Sequence, residues 1–291
     1  MANIIALSPD QHLHTSYQST VSWGFLDDAN DYDRAAKALK RGAVVAHGFG
    51  QFYALSTRPD AATVGQMNLW KGRPFDQVGS ISTTPLMIPS LFDWAQVPSA
   101  HRQAKVLSLM DALLAHGPFG FRGPAHHDIP DHLSSQDGST RTTQVIVPGY
   151  RCASQSLIAA CVEAIGERYI YVTSANQSHH VTGRAEEPAH WKAAPLADDF
   201  QHVDELFVMT HRDEERARSL HPDHLPMSTS ILSFHRVGVD QQPTVRLERL
   251  GSMGTDQIRS IVHSQGFQLE IAPSAQRRLP CRRYPSSNLN Q

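Results

Sequence analysis

Cysteine is scarce in this chain: Cys152, Cys161 and Cys281 are all that 291 residues contain, and their number is odd. A secreted scaffold stapled by disulfides is not expected from that count, and no C-x-x-C pair points to a zinc site. Charge of one sign is also missing. Lys and Arg number 26 against 28 Asp and Glu, a formal net charge of −2, which leaves no global electrostatic footprint for nucleic acid. The 17 histidines would shift that balance if protonated. No apolar run approaches the roughly 20 residues of a membrane span. The opening MANIIALSPDQHLHTS lacks the basic flank and the long apolar core of a secretory signal. A reducing, cytoplasmic setting without a membrane partner is expected. G-x-S-x-G, the Walker P-loop and G-x-G-x-x-G are all absent, so hydrolase, P-loop and Rossmann readings lack their signatures.

What is present is an ordinary globular composition, 40% hydrophobic and 19% charged, in a chain long enough to bury a core without staples. Residues 1–30 are polar and weakly periodic and read as an N-terminal arm. From Asp31 the pattern sharpens. DYDRAAKALKRG reads as a helix with Asn30 or Asp31 as cap and Gly42 at its stop, followed by a strand over Ala43–His47. Asp60 caps a second helix, AATVGQMNLW, which delivers Lys71, Gly72, Arg73 and Pro74 just past its end. Further strands are expected at Val78–Thr83, Thr143–Val147, Arg168–Thr173, Glu205–Met209, Ser230–Phe234, Thr244–Leu250 and Phe267–Ile271. Helices are expected after Pro98-Ser99 up to Gly117-Pro118, and at Ser154–Ile165, Asp213–Leu220 and Thr255–Ser264. Residues 123–141 read as loop. Strands and helices interleave without repeats or a linker, so one α/β domain over 31–272 is the economical reading. The end, 273–291, carries Arg277, Arg278, Arg282 and Arg283 among Pro, Ser and Asn and reads as a basic, flexible tail.

Two constellations carry candidate chemistry. Lys71-Gly72-Arg73 places two cations one residue apart in an extended segment, where both can reach one polyanion. The same pattern also suits a solvated basic turn at a helix end. Thr173-Ser174-Ala175-Asn176-Gln177-Ser178 follows a hydrophobic strand, and small hydroxyl and amide side chains at a strand's carboxyl end can bind phosphate, ribose or carboxylate. They are equally ordinary turn residues.

In this order the two motifs resemble those of the YrdC-like family, the threonylcarbamoyl-adenylate synthases, whose hallmark is K-x-R followed downstream by S-x-N within STSANxSG. The resemblance runs from about Asp31 to Ile271. Ala35-Ala36-x-x-Leu39-x-x-Gly42-x-Val44-Val45 is similar to the opening helix and strand, and Tyr53-x-Leu55 to the end of the first signature. Gly117-Pro118 is similar to the WPGP turn, Ser228-Thr229 to the later ST contact, and Leu247-x-Arg249-x-Gly251 to the terminal LRxG. The resemblance implies a twisted mixed sheet with helices around a deep cationic cavity. It also implies ATP with Mg²⁺, bicarbonate or carbamoyl phosphate, and a small amine or amino acid as acceptor, with pyrophosphate released in a tRNA-modification pathway. Lys71, Arg73, Ser174 and Asn176 would be the catalytic set, and Thr173, Ser228, Thr229 and Arg249 would complete the nucleotide site. A non-catalytic nucleotide- or double-stranded-RNA-binding protein is the alternative, and a separate transferase protein is a possible partner.

Departures from the family concentrate on the substrate side. The PTDTxYGL stretch is here Gly48-Phe49-Gly50-Gln51-Phe52-Tyr53-Ala54-Leu55, so the substrate pocket would be lined by Phe49, Gln51 and Tyr53 and L-threonine is in doubt as acceptor. Ile146 replaces the arginine of the family's RVP, Gly120 a threonine after the GP turn, and His179-His180 the glycine after SAN-x-S. His126-His127-Asp128 with Asp131 and His132 has metal-ligand residue types, but adjacent histidines on one loop rarely share an ion, and no metal site is assigned.

Overall fold

The computed structural model describes residues 20–178, 183, 186–236 and 242–284. In chain order the elements are β1 (Thr20–Phe25), α1 (Ala29–Arg41), β2 (Val44–Phe49), β3 (Phe52–Thr57), α2 (Ala61–Trp70), β4 (Ser80–Ser82), α3 (Gln103–Leu114), β5 (Phe119–Pro124), β6 (Ser135–Asp137) and β7 (Thr140–Val147). There follow α4 (Ser154–Ile165), β8 (Ile170–Ser174), α5 (Ala193–Asp199), β9 (Glu205–Thr210), α6 (Glu214–Ser219), β10 (Ile231–Ser233), β11 (Thr244–Arg249), α7 (Thr255–Ser264) and β12 (Gln268–Ile271). The strands form one mixed sheet in the order β1-β9-β2-β3-β8-β4-β7-β5-β10-β11-β12, with β6 added alongside β7.

The central strands read as unbroken apolar runs because both faces of the sheet are covered. Successive side chains point to opposite faces, so Val44 and Ala46 join one core while Val45 joins the other, and Tyr171 parts from Ile170 and Val172 in the same way. On one face α1 and α4 pack Ala35, Leu39, Leu157, Ile158 and Cys161. On the other, α2, α3, α5 and α7 contribute Met67, Leu109, Leu196 and Val262. This sandwich leaves the carboxyl end of β8 and the exit of α2 on a common edge, where the site is built.

Several expectations are corrected. Residues 20–30 do not belong to an arm: β1 pairs in parallel with β9 from Thr20 opposite Glu205 to Phe25 opposite Thr210. Only Val21, Trp23 and Phe25 carry its alternation, too few for the pattern to stand out in the sequence. The remainder of that arm, 1–19, lies outside the described residues. Helix α1 starts earlier than expected because Asp28 is its cap, accepting from the Asn30 amide at 3.0 Å. Strand β3 was hidden in the stretch read as a motif. It returns antiparallel on β2 through Gly50, whose φ of 70° suits the tight turn. Strands β5, β6 and the start of β7 occupy ground read as loop or turn. The tail is not free over 273–284. Arg282 pairs with Glu187 and Asp199, the latter at 3.1 Å, and the Tyr284 ring packs edge-on against Trp191 at 4.9 Å between centroids. Residues 285–291 lie outside the described set. Among the described residues, no helix is long and apolar enough to cross a membrane.

Candidate functional site

Helix α2 ends at Lys71 because Gly72 turns at φ 68° and Pro74 cannot continue a helix. The chain then folds back on itself, with the Arg73 amide bonded to the Asn68 carbonyl at 2.8 Å. Strand β8 ends at Ser174 beside this turn, and the Ser178 amide bonds to the Lys71 carbonyl at 2.9 Å. The two motifs therefore meet as backbone before any side chain is considered.

Lys71 is fully buried. Its Nζ donates to the Ser174 carbonyl, to the Asn176 carbonyl at 2.7 Å and to Asn176 Oδ1 at 3.4 Å. Three acceptors match the three protons of an ammonium. Burial pushes this lysine well below its ordinary pKa, the charge of Arg73 adds to the shift, and Glu186 opposes it. All of its donors are spent on the turn after β8, so Lys71 holds the shape of that turn instead of facing the cavity.

Arg73 is the outward member of the pair. Its Nε donates to Ser178 Oγ at 2.9 Å, one Nη to Thr173 Oγ1 at 3.0 Å and the other to Glu186 Oε1 at 2.7 Å. Ser174 Oγ donates to Asn176 Oδ1, which fixes the amide so that Nδ2 points at Glu186 Oε1, 3.1 Å away. From the far side of the sheet, β11 brings Arg249. Its Nε donates to the Thr229 carbonyl at 2.9 Å and an Nη to Thr229 Oγ1 at 3.1 Å. Burial lowers the Arg249 pKa to about 10, against the favourable charge of Glu186. Gly251 lets the two segments approach, since a Cβ there would overlap the backbone of Ser228 and Thr229.

These groups line three neighbouring cavities. A cavity of about 260 Å³ is lined by Arg73, Thr173, Ser174, Glu186 and Arg249, with Ser80 and Gln144 opposite. One of about 110 Å³ shares Ser174, Glu186 and Arg249 and adds Asn176, Ser228, Leu279 and Pro280. A wider one of about 650 Å³ continues from Gln144 and Arg249 to Arg122 and Arg246. Arg249 lines all three. A separate hollow of about 640 Å³ between Lys40, Arg58, Asp60 and Glu167 lies away from both motifs and mixes charges of both signs.

Of the nucleotide residues expected from the sequence, Arg73, Thr173, Ser174, Asn176, Ser228 and Arg249 line this space, while Lys71 and Thr229 stand behind it as supports. The expected substrate pocket is corrected. Phe49 is buried against His47 and Phe52, with ring centroids 5.7 and 5.6 Å away. The Gln51 amide is consumed by the carbonyls of Arg218 and His221 at 2.6 and 2.7 Å, and Tyr53 donates to Glu214 at 2.6 Å. None of the three lines the cavities described above: Phe49 packs among aromatic rings, and Gln51 and Tyr53 bond to the segment that carries α6. Sequence reasoning missed Glu186, Gln144 and Arg122. The last two face each other across β5 and β7, with Arg122 Nη2 donating to Gln144 Oε1 at 2.9 Å.

Among the described residues, Asp137, His235 and Glu248 bring ligand-type atoms within 4.8 Å of one another. Asp137 is already paired with His235 and Arg236, and Glu248 with Arg122, so the cluster is balanced by guanidinium charge. In the His-rich loop, His126 and Arg168 both bond to Asp128.

No protein-family model and no curated protein sequence matches the chain. Solved structures do. The P. abyssi Sua5 structure complexed with L-threonine matches with a TM-score of 0.62 at 18% identity, over 88% of this chain and 63% of that one. The hypothetical protein smu.1377c from Streptococcus mutans UA159 matches with a TM-score of 0.60 at 13% identity, over 88% of this chain and 99% of that one. The chain has the YrdC-like fold. It spans 63% of the length of P. abyssi Sua5. In this chain the K-x-R and S-x-N motifs stand side by side in space, held by the bond that the Ser178 amide donates to the Lys71 carbonyl.

Proposed function

We propose that this chain binds a nucleoside triphosphate, ATP by resemblance, and transfers its adenylyl group to a carbamate, releasing pyrophosphate. One observation carries the reading: Arg73, Ser174, Asn176 and Arg249, from three distant stretches of sequence, line two neighbouring cavities that share Ser174, Glu186 and Arg249. A carbamate oxygen attacks the α-phosphorus and forms a new P–O bond. The bond from that phosphorus to the bridging oxygen breaks, and its electron pair leaves with pyrophosphate. The carbamate is already anionic, so no base is required. Negative charge grows on the bridging and leaving oxygens, where fixed guanidinium, amide and hydroxyl donors stabilise it better than mobile water. Arg73 and Arg249 supply the charge, Asn176 the neutral donor that Ser174 orients, and Lys71 the rigidity of the turn that carries them. Among the described residues, the lining carboxylates are all engaged by cations: Glu186 by Arg73, Glu187 by Arg282, Glu248 by Arg122 and Asp137 by Arg236. The ion would enter on the triphosphate, as part of the substrate.

Bicarbonate condensing with an amine, with loss of water, would supply the carbamate, as would carbamoyl phosphate hydrolysed to carbamate and orthophosphate. L-threonine is bound in the P. abyssi Sua5 structure, but the packing of Phe49, Gln51 and Tyr53 away from the cavity favours another acceptor. The same packing is what supports the second reading, a nucleotide- or RNA-binding protein without turnover. The test is pyrophosphate release from ATP with bicarbonate across a panel of amino acids, with carbamoyl phosphate in parallel. Release with one of these donors and acceptors is expected. Tight ATP binding with no release in any combination favours the second reading, and absence of ATP binding refutes the adenylyl-transfer reading and leaves only the RNA-binding form of the second.

A further inference from the structure

The clamp already holds an anion, and that anion belongs to the chain. Glu186 Oε1 accepts from Arg73 Nη2 at 2.7 Å, from Asn176 Nδ2 at 3.1 Å and from Ser178 Oγ at 3.2 Å. A guanidinium, an amide and a hydroxyl converging on one oxygen make the donor set that also receives a phosphate oxygen. Burial alone would raise the Glu186 pKa, but the charge of Arg73, the bonds from Asn176 and Arg73, and the charge of Lys71 hold it below the ordinary glutamate value. The donors are fixed: the Arg73 side chain is 12% exposed, Asn176 and Ser178 are buried, and Lys71 ties down the turn. The acceptor is not, because the Glu186 side chain is 53% exposed and can leave without opening the core. It also stands where the cavities of about 260 and 110 Å³ meet, with Arg249 lining both.

We propose that Glu186 is a specificity-determining residue: it fills the seat of one phosphate group, so the clamp rejects single anions and admits a polyphosphate that also engages Arg249. This rests on the nucleotide reading above and adds to it the discrimination between anions. A tethered carboxylate competes at an effective concentration on the order of millimolar or higher. Orthophosphate offers Arg73 and Asn176 the same contacts that Glu186 offers and gains no second anchor. A pyrophosphate or triphosphate reaches Arg249 as well, and that extra contact offsets the displacement of Glu186.

The test is calorimetric titration of orthophosphate, pyrophosphate and ATP into the full chain, Glu186→Gln and Glu186→Ala at fixed ionic strength, with melting curves to verify folding. The wild-type chain is expected to bind pyrophosphate and ATP while rejecting orthophosphate at millimolar concentration. Both variants should gain orthophosphate binding and take pyrophosphate about tenfold tighter or more, the size expected on removing a tethered competitor. Adding Arg73→Ala should abolish that gain, which a merely structural role for Glu186 would not require. Equal pyrophosphate affinity in wild type and folded variants would overturn the inference and leave the nucleotide reading standing. Failure of all three chains to bind ATP or pyrophosphate would overturn the nucleotide reading itself, and the inference with it.

Discussion

Replacing Lys71 by methionine separates support of the site from contact with ligand. Methionine preserves the length and most of the volume of the side chain, so no large cavity opens. It strands the Asn176 carbonyl, while the Ser174 carbonyl loses Nζ but keeps the Asn176 amide at 3.0 Å. A buried acceptor left without a donor costs about 1–3 kcal/mol. Asn176 Oδ1 retains its bond from Ser174 Oγ. Against this loss, the chain no longer desolvates an ammonium, a penalty of several kcal/mol for a fully buried ion. The two contributions are of one size and opposite sign. The net change in stability should therefore stay within about 2 kcal/mol, a melting shift of no more than about 8 °C for a domain this large. Binding should respond differently. The turn that aims Ser174 and Asn176 loses its tether, and ATP affinity should fall by about 1.4–2.8 kcal/mol, or 10- to 100-fold. Scanning fluorimetry and ATP titration on the same preparation read both quantities. Wild-type ATP affinity in a folded Lys71→Met chain would refute the supporting role given to this lysine.

Three other perturbations test separate parts of the description. Burial lowers His47, His190 and His224 each to about 4, aided by Arg282 against the pull of Asp199 at His190, and by His221 at His224. The unfolded chain takes up these protons near pH 6.5 and the folded chain only near 4, so stability is complete above pH 6.5 and is lost as the pH falls toward 4. Each shift is worth about 3 kcal/mol in full, and the melting temperature should drop by about 10 °C or more between pH 7 and 5. A flat profile over that window would contradict the burial of these rings as neutral groups. Gly251→Ala puts a methyl group into the Ser228–Thr229 backbone. The strain should cost about 1–3 kcal/mol of stability and displace the Thr229 contacts that orient Arg249, so a variant with unchanged melting and unchanged ATP affinity would refute that packing. Gln144→Ala removes a side chain that bonds both Ser80, at 2.6 Å, and Arg122, and that lines two of the neighbouring cavities. It should raise the KM of the acceptor in the pyrophosphate-release assay while leaving the ATP dissociation constant within about twofold. The opposite split would place the acceptor elsewhere.

The parts of the fold written locally were legible. Gly42 and Gly166 close α1 and α4 in the left-handed conformation that only their own sequence position demands. Asp60 caps α2, and its Oδ1 accepts from the Thr63 amide at 3.0 Å. The elements that escaped reading are those whose order comes from neighbours. Strand β5, Phe-Gly-Phe-Arg-Gly-Pro, has poor intrinsic strand propensity and exists because β7 and β10 pair with it on either side. The site divides in the same way. Lys71, Arg73, Ser174 and Asn176 lie in two short motifs whose residue types announce anion chemistry. Glu186 lies in a Glu-Glu-Pro run with no motif of its own, and its meaning depends on contacts to residues eight and ten positions away and to Arg73. Nothing local distinguishes it from Glu187, which turns instead to Arg282.

The loss of the PTDT-like residues reaches beyond missing hydrogen bonds. Had Gly48–Tyr53 simply exchanged polar groups for apolar ones, an empty apolar pocket would remain, able to admit a different small molecule. The replacements instead satisfy one another. The Phe49 ring packs at a tilt between Phe52 and His47, while Gln51 donates to the Arg218 and His221 carbonyls at the carboxyl end of α6. Tyr53 is held by Glu214 and Thr210, and burial, more than its acidic neighbour, pushes that phenol pKa up. The polar side chains of Gln51 and Tyr53 are committed to these contacts, and emptying the region would cost several core contacts. The phosphate side has the reverse character, with fixed donors and one exchangeable carboxylate. On the adenylyl-transfer reading proposed above, the acceptor would therefore be recognised by the wall of Ser80, Gln144 and Arg122, the polar flank of the two neighbouring cavities that neither α6 nor the aromatic cluster occupies.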